Sequence, residues 1–204
     1  MIASGQLRAL IDDDGLKGVT SNPAIFEKSI TGSTDYDPAI EQLAAQNKTA
    51  MDIYESLVME DIQSAADVLR SVYEATNGRD GFVSLEVSPY LADDTEGTIE
   101  EGRRLWQAVD RNNVMIKVPA TEAGIPAVRQ LISEGLNINV TLMFSHAVYE
   151  TVAETYIAGL EDRAAQGFDL SRINSVASFF ISRIDTLVDD LLEKRAGEAV
   201  SGLE

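Results

Sequence analysis

The amino-acid sequence predicts an α/β fold in which parallel strands form a barrel surrounded by helices. Short apolar runs alternate along the chain with amphipathic helical segments, an order typical of a parallel sheet covered by helices. Each apolar run carries its polar residues on one parity, mostly near its carboxyl end. An open doubly wound sheet is the alternative, but the phosphate-binding patterns GxGxxG and GxxxxGK[ST] are absent from the sequence, and the strand parity favours the barrel.

Length and composition limit the classes of function. The chain has 204 residues, 45% apolar and 25% charged, which predicts a single domain over residues 1–204. Its 16 basic and 34 acidic side chains give a net charge of -18, which argues against nucleic-acid and anionic-membrane partners. With no cysteine and one histidine, His146, thiol chemistry is excluded and a Ser-His-Asp triad has little support. We see no targeting segment or membrane span and expect a cytoplasmic protein.

In the amino-terminal half, a short helix is expected over residues 6–11 and a first strand over residues 18–22. Asp37-Pro38 predicts a helix start with Asp37 as the N-cap, because proline is favoured at the first helical position. Apolar residues at helical spacing predict a long helix over residues 49–75, which Asn77-Gly78 ends.

In the carboxyl-terminal half, strands are expected over residues 82–87, 114–118, 137–144 and 173–180. Thr98 to Glu101 form a capping-box pattern, which predicts that a helix begins there and runs to about residue 111. A helix ending near Ile132 separates the next two strands. Ser145 is expected to cap a long helix, and a final helix follows the last strand.

The polar residues of the strands recur on one face of each strand. They are Thr20 and Asn22, Ser84 and Glu86, Lys117, Asn139 and Thr141, and Ser178. In the fourth strand, Ile138, Val140 and Leu142 are expected on the opposite face. One or two such residues would fit a hydrogen-bonded core, but five strands with the same pattern favour a barrel whose carboxyl end holds an active site.

Lys117 is the most informative single residue, because it alone of five lysines lies within an apolar strand. As a structural residue it would need a buried carboxylate partner, and Glu86 could be that partner. As a functional residue it would be an amine nucleophile that forms a Schiff base with a ketone. Desolvation favours the neutral amine, which is the attacking form.

Four segments resemble the signatures of a known family, the transaldolases. Residues 18–28 read GVTSNPAIFEK and are similar to the first signature, and residues 114–121 read VMIKVPAT and are similar to the signature around the Schiff-base lysine. Residues 137–144, NINVTLMF, and 178–185, SFFISRID, are similar to segments at the fifth and sixth strands. The resemblance covers most of the chain and implies a (β/α)8 TIM barrel of the class I aldolase type.

The resemblance also implies a reaction. Lys117 would attack the ketone of a sugar phosphate such as sedoheptulose 7-phosphate or fructose 6-phosphate. The iminium would draw electrons from the C3–C4 bond, which breaks and leaves a dihydroxyacetone enamine on the enzyme. The enamine would then attack an acceptor aldehyde, glyceraldehyde 3-phosphate or erythrose 4-phosphate. No metal or organic cofactor is implied, and the expected partners are small-molecule sugar phosphates of the pentose phosphate pathway.

Individual roles follow from the same resemblance. Glu86 and Thr141 are similar to the pair that holds a catalytic water for proton transfer. The residues similar to those that hold the dihydroxyacetone hydroxyls are Asn22, Asn139 and Ser178. Arg183 is similar to an arginine of the phosphate site, where a planar guanidinium suits a phosphate. The alternative for Arg183 is a surface arginine at a helix start.

The sequence departs from the family in its extent. A barrel of this kind has ~250 residues, and the five strands would be the second to the sixth. The catalytic aspartate of the family's first strand and the last two strands have no counterpart here, so we expect an incomplete chain. Three functions remain open: a transaldolase, a catalytically inactive barrel fragment that acts as a binding or assembly module, and a fructose 6-phosphate aldolase-like lyase that forms free dihydroxyacetone.

Overall fold

The computed structural model describes residue 2 and residues 4–200, with side chains described through residue 195. Five strands form one parallel sheet in the order β1-β2-β3-β4-β5. The strands are β1 (Gly18–Thr20), β2 (Phe82–Glu86), β3 (Val114–Pro119), β4 (Ile138–Met143) and β5 (Ser175–Phe179).

Helices precede, connect and follow these strands. Those of the described residues are α1 (Gln6–Asp14), α2 (Pro23–Thr31), α3 (Asp37–Ala45), α4 (Ala50–Ala75), α5 (Thr95–Val109), α6 (Gly124–Glu134), α7 (His146–Ala165) and α8 (Ile181–Val200), with a 3-10 turn at Pro89–Leu91. None of these helices has an apolar span sufficient to cross a bilayer.

The strand order distinguishes the two architectures left open by the sequence. Each strand pairs in parallel with the strand that follows it in the chain. A doubly wound sheet reverses its order at a switch point, and the described strands show no such reversal. The sheet is therefore part of a barrel, and the predicted α/β fold of the aldolase class is confirmed. That residues 1–204 form a single domain stays a prediction.

The hydrophobic core lies between the outer face of the sheet and the helices. Ile116, Val118, Ile138 and Val140 are completely buried there. Helices α5 and α6 approach closely at Gly102, where an added Cβ would lie 2.9 Å from a methyl carbon of Leu131. Because apolar residues fill this layer, the polar residues of the strands face the other side of the sheet.

Several predicted helix starts differ from the structure. Helix α5 begins three residues before the predicted capping box, because Asp94 accepts a hydrogen bond from the Gly97 amide at 3.0 Å. Thr98 Oγ1 instead donates to the Leu91 carbonyl at 3.0 Å, so the prediction at Thr98 is wrong. Asp37 is the first residue of α3 and not its cap. Helix α2 was not predicted.

The fourth strand contains a β-bulge that the sequence did not predict. The pairing passes from Val140 with Ala177 to Met143 with Phe179, so two residues on β4 lie opposite one residue on β5. Leu142 adopts a φ of 63° and is 40% exposed. The expectation that Leu142 shares a face with Ile138 and Val140 is therefore wrong, since Met143 takes that place in the core.

Candidate active site

Lys117 lies at the centre of the inner face of the sheet. Strand β3 places it in register with Glu86 of β2 and Asn139 of β4. The residue is buried, with 6% of its surface exposed. Its Nζ donates to Glu86 Oε2 at 3.2 Å and to the Ser21 carbonyl at 3.3 Å. The structure thus brings together the lysine and the carboxylate that the sequence singled out.

The contacts of Lys117 are compatible with a structural ion pair and with an amine nucleophile. A buried ion pair with Glu86 satisfies the charge of a structural lysine. The same pair gives a nucleophilic amine a carboxylate within reach to accept its proton. The ammonium has three donors, and two of them are used in these hydrogen bonds.

Asn139 belongs to a hydrogen-bonded chain of side chains across the sheet. Its Nδ2 donates to Ser84 Oγ on β2 at 3.0 Å. Its Oδ1 accepts from Ser178 Oγ on β5 at 2.8 Å. These bonds fix which end of the amide faces which strand. Ser84 shares the parity of Glu86 in the sequence, which predicts its place on the inner face, but its hydrogen bond to Asn139 carries no local sequence signal.

Thr141 is the next inward-facing residue of β4 after Asn139. It is completely buried, and its register partner on β3 is Pro119. Its Oγ1 has no hydrogen-bond partner among the described residues. Leaving a buried hydroxyl without a partner costs free energy, so this oxygen offers a position for a water or a substrate hydroxyl.

Asn22 and Arg183 make their described side-chain contacts outside this cluster. Asn22 caps α2, with its Oδ1 accepting from the Ile25 amide at 2.8 Å. It follows Ser21, whose carbonyl contacts Lys117. Arg183 is exposed in the first turn of α8, with its guanidinium carbon 4.7 Å from the centre of the Phe180 ring. No hydrogen bond between described residues joins either side chain to Lys117.

A cavity of about 470 Å³ lies between β2 and helices α2, α4 and α5. Asn22 and Glu86 border it, but Lys117 does not, and most of its wall is apolar. Of the polar residues described above on the inner face of the sheet, Glu86 alone borders this cavity, and Lys117, Asn139 and Thr141 do not. Among residues with described positions, no cluster of three histidine or acidic side chains is arranged to hold a metal ion.

Comparison with known families shows the family to which this chain belongs. Residues 1–203 match the model of a family described as Transaldolase/Fructose-6-phosphate aldolase. The chain belongs to this family. The resemblance inferred from the sequence motifs is thereby confirmed.

Individual members of the family are similar over nearly the whole chain. A protein named Transaldolase from Trichodesmium erythraeum is 51% identical over 195 residues, which is 96% of this chain and 51% of the relative. A Transaldolase 2 from Nostoc punctiforme is 54% identical over 186 residues, 91% of this chain and 49% of the relative. A Transaldolase from Saccharopolyspora erythraea is 50% identical over 196 residues, 96% and 53% respectively. The chain thus spans about half the length of the curated relatives it matches.

Proposed function

We propose that this chain carries the Schiff-base lysine and the dihydroxyacetone-binding groups of a transaldolase, a transferase that moves a dihydroxyacetone unit between sugar phosphates. The observation that carries the proposal is the position of Lys117, a buried amine on the inner face of the sheet beside the Glu86 carboxylate. Membership of the transaldolase family supports the same role.

The first step is formation of the Schiff base. Lys117 transfers a proton to Glu86, whose Oε2 lies 3.2 Å from Nζ, and the neutral amine attacks the ketone carbon of the donor sugar. A carbon–nitrogen bond forms, and the former carbonyl oxygen leaves as water. The buried, unpartnered hydroxyl of Thr141 supports a role for Thr141 and Glu86 in holding the water that relays these protons.

The second step is cleavage and transfer. The iminium accepts the electron pair of the C3–C4 bond, the proton of the C4 hydroxyl passes to the relay, and an aldose leaves. The enamine that remains attacks the carbonyl carbon of the acceptor aldehyde, and hydrolysis of the new Schiff base restores Lys117. The substrate-facing residues in this proposal are Asn22, Asn139 and Ser178 for the dihydroxyacetone hydroxyls and Arg183 for a phosphate.

Asn139 is prepared for its role by its neighbours. Ser84 and Ser178 each use one polar end of its amide, which leaves one hydrogen of Nδ2 and one lone pair of Oδ1 for a sugar hydroxyl. Because the amide is already oriented, binding needs no reorganisation of this group.

The place in the pentose phosphate pathway and the cytoplasmic location stay predictions, as does the absence of nucleic-acid and membrane partners.

A second candidate is a fructose 6-phosphate aldolase-like lyase, because the family description includes that activity. Both enzymes use the same Schiff base, and they differ in whether the enamine meets an acceptor aldehyde or is protonated and released as dihydroxyacetone. Release of free dihydroxyacetone without an acceptor would favour the lyase.

Borohydride trapping tests the common step. The chain is incubated with fructose 6-phosphate, reduced and digested, and the peptides are analysed by mass spectrometry. The added mass is expected on Lys117. Lys117→Met should trap nothing, and Lys48→Met, at an exposed loop position, should trap as the unaltered chain does. Labelling of another lysine, or none, would contradict the proposal and leave the inactive binding module as the better explanation.

A further inference from the structure

The β-bulge in β4 lies directly beside the unpartnered hydroxyl of Thr141. Thr141 and Leu142 are the two residues that face the single position Ser178 on the neighbouring strand. Bulges are rare in parallel pairs and are concentrated next to active sites, where they redirect a side chain. Its position makes this bulge a candidate for such a function.

Leu142 has the backbone conformation that makes the bulge, and it is an unfavourable residue for it. Its φ of 63° lies in the left-handed region, where the Cβ of leucine crowds the backbone and glycine or asparagine is preferred. Such strain persists only where the surrounding structure imposes it. Both flanks are fixed here: the Thr141 carbonyl accepts from Ala120 at 2.8 Å, and the Met143 carbonyl accepts from Phe180 at 2.9 Å.

The bulge changes which side chains follow Thr141. In a regular strand, Leu142 would enter the core and Met143 would lie on the inner face with Thr141. In the structure, Met143 is completely buried in the core and Leu142 is 40% exposed. The alternation of side chains between the two faces of β4 therefore reverses immediately after Thr141, at the left-handed backbone of Leu142.

We propose that Leu142 is a positioning residue whose left-handed backbone keeps the Met143 side chain off the inner face, which leaves room beside the Thr141 hydroxyl for the water that serves Lys117. The proposal rests on the proposed function, because it assigns the use of the Thr141 hydroxyl to Schiff-base chemistry. Leu142 acts through Thr141 and contacts no reacting atom in this scheme.

The test measures the rate at which the 204-residue chain forms the borohydride-trapped adduct at Lys117 with fructose 6-phosphate. Leu142→Val introduces a β-branched residue that disfavours positive φ, and it should slow the adduct about ten-fold. Leu142→Asn, which tolerates the left-handed region, should recover most of the rate. Leu170→Val is the matched control, because Leu170 is a partly exposed leucine outside the left-handed region.

A double-mutant cycle separates positioning from a merely structural effect. Thr141→Val removes the hydroxyl, and adding Leu142→Val to it should cause no further slowing, because Leu142 acts only through that hydroxyl. If Leu142→Val does not fold, Leu142→Gly takes its place: it frees the backbone and should slow the adduct only while Thr141 is present.

The outcomes distinguish this proposal from the function it rests on. The positioning role alone is overturned if the unaltered chain forms the adduct and Leu142→Val forms it at the same rate. It is also overturned if the rate losses of Thr141→Val and Leu142→Val are additive in the cycle. No adduct at Lys117 in the unaltered chain overturns the proposed function, and the positioning role with it.

Discussion

Replacing Glu86 by glutamine is expected to weaken both the fold and the reaction. The Lys117 and Glu86 side chains are 7% and 16% exposed, with their charged atoms 3.2 Å apart. At this distance two unit charges attract by about 5 kcal/mol for an effective dielectric constant of about 20. Desolvation of both groups offsets much of that attraction. Glutamine keeps the shape and an acceptor oxygen but leaves the lysine charge unpaired, so the expected loss is about 1–3 kcal/mol of unfolding free energy.

Urea unfolding of four complete barrels measures this loss, each made by placing this chain in the matched half of the Trichodesmium erythraeum relative: the unaltered sequence, Glu86→Gln, Lys117→Met, and the double variant. The double variant should lose less than the sum of the two single losses, because no buried charge remains without a partner. Glu150→Gln, at an exposed position on α7, is the control and should change stability by less than about 0.5 kcal/mol.

The catalytic effect of Glu86→Gln is measured in the same complete barrel. Turnover should fall by roughly 10²-fold or more with little change in substrate binding, because a proton acceptor is lost and no binding group is removed. Additive unfolding losses together with unaltered turnover would refute the reasoning.

Three further predictions concern other parts of the molecule. In the same complete barrel, Arg183→Lys should mainly raise KM for phosphorylated sugars, because a point charge replaces a planar donor, and an equal effect on unphosphorylated acceptors would contradict the role. Hydrogen bonds from Arg103 hold the pKa of Glu134 below its ordinary value of 4.5, so this pair stabilises the fold above about that pH and loses its contribution as pH falls through the lowered pKa. In urea titrations at decreasing pH, the unfolding free energy of Arg103→Ala should therefore fall less steeply than that of the unaltered chain. The isolated 204-residue chain, with β1 and β5 at the edges of the described sheet and Leu187 of α8 60% exposed, is expected to dimerise, aggregate or stay loosely packed and to show no transaldolase turnover. Sedimentation and a coupled assay check this, and a cooperatively melting monomer that turns over substrate would contradict it.

The inner-face residues were predictable because a strand has a period of two. Alternation placed Ser84 and Glu86 together and Asn139 and Thr141 together, and the apolar surroundings of Lys117 marked it as unusual. The structure agrees for all five side chains, down to the contact between Lys117 and Glu86.

The parts that were missed depend on departures from regular geometry or on contacts between distant segments. The bulge at Leu142 was not predicted, because leucine gives no sign of a left-handed backbone. Glycine or asparagine at this position would have indicated one. The start of α5 was misplaced because Asp94 and Thr98 are both capable caps, and in the structure the Thr98 hydroxyl is used instead in a hydrogen bond to the Leu91 carbonyl. The bonds of Asn139 to Ser84 and Ser178 join three strands and cannot be read from local pattern.

The sequential order of the strands allows the sheet to form strand by strand while the chain is synthesised. Every strand after β1 pairs with the strand that was synthesised just before it. Glu86 of β2 and Lys117 of β3, for example, are 31 residues apart. At ribosomal rates of about 5–20 residues per second, such a stretch emerges in about 2–6 seconds. The exposed edges of β2, β3 and β4 are therefore open to other chains for seconds only, before the nascent polypeptide itself supplies the strand that covers each of them.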